Sequence, residues 1–444
     1  LFNGKSSFRL DNNGIKIGTI VLDDSHACID SIRNAFSIRA NRRSEIYKHF
    51  ITLFEDSMRG QGEGTYMDIK NSDTSYELMT VPYWDWIDKQ DEVVEFMNKQ
   101  QENDDVKFAY PLLKDIWSDC TVYFTGREME IIPNYNLIHR FTSFTRADQR
   151  VFMSATTQDD SFFIKGLMVD EKAVTHPLTN ASTNWSGEKM ILFPTRIDTS
   201  LNSEIMREFV CKSSFISSFS RVVLVPSLWW GEDYEKRGAK VARGDLINEE
   251  INYLKKGEEL DHTVVFVNRY DGIDLADNQC RLLVLDSLPS FGNLSDRYEL
   301  KCRTDSALIT TKIAQKIEQG LGRSVRSEKD YSIILIVGED LVRFIKTSSN
   351  QTFFSPQTLM QIQIGEEVSG IVKDEISKEH TALQTFCDVM KQCLNRDEGW
   401  KQFYKERMDK ISLQEDKHPL LSIINKEFKA EQACIKSDYD AAAK

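Results

Sequence analysis

Ile17-Gly18-Thr19-Ile20-Val21-Leu22-Asp23-Asp24-Ser25-His26 is the stretch on which the reading of this chain turns. A short apolar run ends abruptly on two carboxylates, and Ile29, Ile32 and Phe36 follow at helical spacing. Strand, loop and helix in that order form the repeating unit of α/β proteins, whose ligands bind beyond the carboxyl ends of the strands. Paired carboxylates at such a place are costly to desolvate unless a cation or water network uses them. Mg²⁺ prefers one or two carboxylates together with substrate phosphates. Taken alone, the pair has a plainer meaning, a strand end followed by an aspartate N-cap.

Six further apolar runs resemble the first: Val151–Met153, Met190–Phe193, Val222–Val225, Thr263–Val267, Leu282–Leu285 and Ile333–Val337. Continuous apolarity is how strands buried on both faces read, as in a parallel sheet. Most are separated by stretches long enough for a crossover helix, such as Ala307–Leu321 with Leu308, Ile309, Ile313, Ile317 and Leu321 on one face. The fold class expected is α/β. Between Leu22 and Val151 strand signals are few, and Ile46, Phe50, Leu53 and Phe54 fall at helical spacing. That block reads as a mainly helical insertion. Beyond Ser355 the pattern is again helical, with Val372, Ile376, Leu383, Phe386, Met390 and Leu394 forming one apolar stripe of the kind that builds core.

Composition narrows the function classes. The chain has 444 residues, 56 basic against 69 acidic side chains and a net charge of −13, which argues against coating nucleic acid by bulk charge. It leaves a locally basic channel open. No apolar run reaches the roughly 18 residues of a membrane span. The eight cysteines are scattered, and Cys387 and Cys393, the closest pair, lack zinc spacing; dispersed thiols suit a reducing, cytoplasmic setting. No H-x-x-x-H, H-E-x-x-H or G-x-S-x-G arrangement occurs, so zinc hydrolase and serine hydrolase chemistry have no support.

A second stretch, Gln319-Gly320-Leu321-Gly322-Arg323-Ser324-Val325-Arg326, closes a predicted helix. Arg323 and Arg326 are three apart, so on one helical face both could reach one anion, as arginines do in phosphoryl transfer. Two solvated arginines are the commoner meaning of such a pair alone. Arg39, Arg42 and Arg43 form a small basic run that reads as a solvated face. Trp229-Trp230 and Tyr83-Trp84-Asp85-Trp86 could stack bases, but packing is the favoured reading of both.

Together these stretches resemble superfamily 2 helicases. Asp23-Asp24-Ser25-His26 is similar to their motif II, Val151-Phe152-Met153-Ser154-Ala155-Thr156 to motif III, and Gln319–Arg326 to motif VI, Q-x-x-G-R-x-x-R. Val222–Ser227 resembles the motif IV strand, and Asn268-Arg269-Tyr270-Asp271-Gly272-Ile273-Asp274-Leu275 resembles motif V. Cys280–Pro289 that follows is similar to the second lobe of the XPD/DinG-like branch, which also carries an accessory domain between motifs II and III. Five motifs in order over some three hundred residues carry the resemblance.

The resemblance implies two RecA-like lobes with parallel sheets, the first incomplete at its N-terminus, with ATP and Mg²⁺ between them. The expected divisions are 1–41 and 150–186 for the first lobe, 42–149 for the mainly helical insertion, 187–354 for the second lobe and 355–444 for a helical accessory region. By position, Asp23 would hold Mg²⁺ and Asp24 would orient the attacking water. His26, Ser154 and Thr156 would couple nucleotide state to lobe movement. Gly272 and Asp274 would line the cleft, and Gln319, Arg323 and Arg326 would reach the phosphates. The implied function is an ATP-dependent helicase or translocase on single-stranded or forked DNA, with RNA as the other candidate. No membrane is involved, and a protein partner is expected through the insertion or the C-terminal region. Two other readings are a helicase-like nucleic-acid-binding scaffold without hydrolysis and a double-strand translocase.

Two departures stand out. Gly4-Lys5-Ser6 invites a P-loop reading, but Gly4 lacks the preceding G-x-x-x-x, so motif I is expected upstream or on another segment. The chain as it stands is therefore expected not to hydrolyse ATP alone. Motif II also carries Asp24 where many relatives have Glu, a shorter arm for aligning water.

Overall fold

The computed structural model describes residues 2–8, 15–154, 160–178, 185, 187–257, 260–270, 272–273, 275, 277–327, 329–376, 380–411 and 420–443. The chain is α/β, with two parallel sheets and one antiparallel sheet.

The first strand, β1 (Thr19–Leu22), leads into helix α1 (Ser25–Ala35). After β2 (Ile38–Asn41), several helices and short strands make up the insertion: β3 (Leu78–Thr80), β4 (Cys120–Thr125) and β5 (Glu128–Pro133). The chain then returns through β6 (Gln149–Phe152) and helix α2 (Phe162–Leu167). β6 pairs in parallel with β1, Val21 opposite Val151. Ile20, Leu22 and Phe152 turn into the first core, while Val21 and Val151 remain 56% and 44% exposed on the opposite face. Continuous apolarity here does not mean burial on both faces.

The insertion is richer in strand than its sequence suggests. Helices predominate, but β2-β5-β4-β3 form an antiparallel four-stranded sheet at its centre, with Phe124 opposite Met129 across the β4–β5 hairpin. Trp86, Phe50, Phe54 and Tyr66 pack beside it in the same core that receives α1 and α2.

The second lobe is one parallel sheet, in the order β7-β12-β11-β8-β10-β9. Its strands are β7 (Glu188–Leu192), β8 (Arg221–Val225), β9 (Lys240–Ala242), β10 (Val264–Val267), β11 (Leu282–Asp286) and β12 (Tyr331–Val337). Between β11 and β12 come α3 (Leu294–Cys302) and α4 (Ala307–Leu321). Alternate side chains feed two cores, as the two-residue period of a strand requires. Val222, Leu224, Leu283, Leu285, Ile334 and Ile336 face α4. Val223, Val225, Leu282, Val284, Ile333 and Leu335 face the C-terminal helices.

Those helices are α5 (Pro356–Glu375), α6 (Ala382–Leu394) and α7 (Glu398–Met408), with α8 (Leu421–Ile435) and a short helix at Tyr439–Ala442 after them. Ser355, Thr381 and Asp397 each cap the helix that follows, and Thr381 with Gln384 forms a complete capping box. The predicted apolar stripe therefore spans two helices, broken between Val372 on α5 and Phe386 on α6. Gly365 lets α5 touch β7, since a Cβ there would lie 2.5 Å from the Ile191 carbonyl oxygen. The C-terminal region divides between the lobes. α5, α6 and α7 pack on the second sheet, whereas Leu420 and Ile424 belong to the first core.

Candidate nucleotide cleft between the lobes

Asp23 and Asp24 stand at the carboxyl end of β1 with α1 starting behind them. Asp24 adopts a left-handed conformation (φ 51°), and its N–H donates to Asp23 Oδ1 at 3.0 Å, so the carboxylate of the first acid is fixed by the backbone of the second. Asp24 makes no side-chain cap for α1, which sets aside the N-cap explanation of the pair. Ser25 binds motif II to the neighbouring strand: its N–H donates to the Met153 carbonyl at 2.9 Å, and its hydroxyl donates to the Leu22 carbonyl at 3.2 Å. The site is electronegative. Burial and the Asp24 and Asp23 carboxylates push the nearby Cys28 thiol up.

His26 turns away from the acids. Its Nε2 lies 2.9 Å from Asp160 Oδ1, and its ring packs on Phe163 at 4.6 Å. Asp160, just before α2, had no signal of spacing to mark it. Ser154 lies half-buried at the end of β6. Thr156 lies outside the described residues, as does Asp274.

From the second lobe, Arg323 reaches across. Its Nε donates to the Tyr270 carbonyl at 2.7 Å, its Nη1 to the Ile273 carbonyl at 2.9 Å, and its Nη2 lies 3.5 Å from Asp24 Oδ2. Arg323 thus holds the carbonyls of Tyr270 and Ile273 with two nitrogens and faces the Asp24 carboxylate with a third. Tight packing aids this, because Gly320 allows α4 to approach Tyr270, where a Cβ would meet the ring at 3.0 Å. Gly272, in the same motif V segment, has φ +70° and is exposed.

The expectation that Arg323 and Arg326 share a helical face is corrected. α4 ends at Leu321, with Gly322 at its C-cap and both arginines in the turns beyond. Gly320 and Gly322 are poor helix formers, and the Gly322 N–H closes the last turn on Glu318 and Gln319. Arg323 is consequently buried and Arg326 exposed, while Gln319 remains half-buried on α4. The Arg326 backbone is held instead by buried Asp330, which accepts from its N–H at 3.3 Å, from Asp277 N–H at 3.0 Å and from Arg281 Nη1 at 2.7 Å.

Two other basic and aromatic readings change. Arg42 is not a solvated cation: its Nη1 donates to the carbonyls of Ile69, Ser72 and Gly126 at 2.8–2.9 Å, clasping the insertion. Each aromatic pair divides. Trp86 is buried and donates to the Trp117 carbonyl at 2.7 Å, and Trp230 stacks under Arg207 at 4.4 Å. Tyr83, Trp84 and Trp229 are 77%, 56% and 66% exposed. Gly4 packs into the insertion, its N–H on the Phe108 carbonyl, so Gly4-Lys5-Ser6 lies away from the cleft.

Residues 242–354 match the family model described as helicase C-terminal domain, over the segment that carries the motif V and motif VI resemblances. The similarity shown is that of this segment to a helicase C-terminal domain. Among solved structures, Xpd4 of S. tokodaii is similar at 17% identity and a TM-score of 0.42, over 78% of each chain. An XPD helicase structure matches at 13% identity and a TM-score of 0.45, over 78% of this chain and 69% of its own. An apo XPD structure matches at 13% and 0.43, over 78% of each chain. Comparison with curated proteins finds no match. Among the described residues, no helix is long and apolar enough to cross a membrane.

Proposed function

We propose that the chain is the motor portion of an ATP-dependent helicase or translocase acting on single-stranded or forked DNA, with first-lobe parts at 1–41 and 150–186, an insertion at 42–149, a second lobe at 187–354 and an accessory region at 355–444. The observation that carries this reading is the approach of Arg323 to Asp24 across the lobes at 3.5 Å. A guanidinium opposite a carboxylate at the ends of two parallel sheets is the arrangement that phosphoryl transfer needs, with charge stabilisation from one side and water alignment from the other.

Asp23 suits Mg²⁺, being an exposed carboxylate with one oxygen fixed by the Asp24 N–H. Among the described residues, no group of three or more His, Cys, Asp or Glu gathers into a cage, and an ion that keeps most of its waters needs none. When bound, Mg²⁺ would neutralise phosphate charge and leave the protein to supply geometry. Asp24 would accept the proton of, or align, the attacking water, and Arg323 and Arg326 would meet the phosphates from the second lobe. Ser25, bonded to Met153, and the His26–Asp160 pair support a link from the acids to motif III, where Ser154 would help sense lobe closure. Gln319 would contribute from α4, with Thr156, Gly272 and Asp274 retaining the positional roles that the resemblance implies. A protein partner would engage the insertion or the C-terminal helices.

Single-strand-stimulated ATP turnover by the full-length protein tests the proposal. Turnover abolished by Asp24→Asn supports the motor. Strand binding without turnover assigns the non-hydrolysing scaffold instead.

A further inference from the structure

Helix α8 follows three helices that pack on the second sheet, yet it lies on the first core. Leu420 and Ile424 are buried in the first core, with Leu421 and Phe428 packed at its edge. One turn further on, Glu427 and Glu431 point at a single cation, with Lys165 Nζ on α2 at 3.0 and 2.9 Å. Asn425 adds a hydrogen bond to Glu171 at 3.0 Å. The acids and the apolar residues share one face of the helix, so α8 docks by greasy contacts and a two-to-one ion cluster. Burial pushes the Glu431 carboxyl up while Lys165 opposes it, and the two glutamates hold the Lys165 ammonium up against its own burial.

α8 also lines a cavity of about 540 Å³, open to solvent and bounded elsewhere by residues of α1, α2, α3, α4, β4 and β5. Phe162, Phe291 and Tyr298 bring rings to this space, and Lys165, Lys312 and Lys316 bring ammonium groups. Rings for stacking and cations for phosphates are the two components that bind single strands without sequence preference. His26 and Gln319 line the cavity, whereas Asp23, Asp24, Arg323 and Arg326 do not. The space thus adjoins the candidate nucleotide cleft and shares with it the residues placed to sense both.

We propose that α8 is a built-in competitor for single-stranded nucleic acid in this interlobe cavity: Glu427 and Glu431 occupy Lys165 as a phosphate would, and a strand enters by displacing the helix. This inference rests on the nucleic-acid reading above. Two carboxylates on one ammonium leave the wall with surplus negative charge, which opposes an incoming phosphate until the helix leaves.

The test is fluorescence anisotropy of labelled oligothymidylate and oligouridylate with the full chain, comparing wild type with Glu427→Ala/Glu431→Ala and with Lys165→Ala. The double variant is expected to bind about 5- to 30-fold more tightly, the effect of releasing one to two charge contacts, and Lys165→Ala more weakly than the double variant. Equal or weaker binding by a folded double variant, when wild type binds, overturns the competitor role and leaves the nucleic-acid reading standing. Failure of wild type and double variant alike to bind either oligonucleotide overturns both. Hydrogen exchange on wild type gives an independent check: α8 amides lose protection as oligonucleotide saturates, and unchanged protection at saturation overturns the proposal.

Discussion

Arg33 on α1 and Asp296 on α3 meet at 2.8 Å, one from each lobe, and the same buried carboxylate takes Lys312 of α4 at 2.9 Å. Two residues earlier, the buried Glu130 of the insertion accepts from Leu294 N–H at 2.7 Å and Ser295 N–H at 3.2 Å, capping α3, while its other oxygen takes Arg39 at 3.0 Å. Arg39 also reaches Asn293. Helix α3 is therefore gripped by both the first core's α1 and the insertion.

Asp296→Asn should destabilise the chain by about 3–5 kcal/mol in denaturant titration, because Arg33 and Lys312 lose their shared counter-charge. Burial alone would raise the Asp296 carboxyl, but Lys312 and Arg33 hold it well below the usual 3.8. The unfolded chain then takes up the proton first as pH falls. The stabilisation is complete above that ordinary value and is lost progressively below it, so the variant should show a shallower loss of stability on the acid side.

The two motif VI arginines should separate in one experiment. Arg326→Ala, an exposed site, should lower ATP turnover of the complete protein by about 10³-fold or more with the melting temperature unchanged. Arg323→Ala should lower turnover and stability together, since it also releases the Tyr270 and Ile273 carbonyls.

The neighbouring tryptophans should behave oppositely. Trp229→Ala should alter stability by no more than about 0.5 kcal/mol yet weaken oligothymidylate binding by about 5- to 150-fold if the exposed ring stacks a base. Trp230→Ala should lose stability through the Arg207 stack. Melting curves beside anisotropy titrations read both.

Arg42→Gln should cost about 2–3 kcal/mol, because carbonyls of Ile69, Ser72 and Gly126 lose a charged donor, and should leave strand affinity unchanged. A fall in affinity without a fall in stability would return Arg42 to a nucleic-acid role.

Gly365→Ala should destabilise by about 1–3 kcal/mol in thermal melts, since the new methyl would meet the Ile191 carbonyl and push α5 from β7.

The sequence by itself determined most strands of the six-stranded parallel sheet. Val222–Val225, Leu282–Leu285 and Ile333–Val337 announce themselves because a strand buried on both faces must be apolar throughout, and helix caps such as Ser355 and Thr381 act over three residues. Tertiary structure alone decided the rest. Strands β3 and β4 exist through antiparallel pairing in which Met79 meets Phe124, and no local period foretells that partnership. His26 finds Asp160 across 134 positions, and Glu130 finds Leu294 across 164. The same separation of scales explains Arg42, Trp229 and α8: residue type marks a group as able to bind a strand, and only packing decides whether carbonyls, solvent or the other lobe receives it.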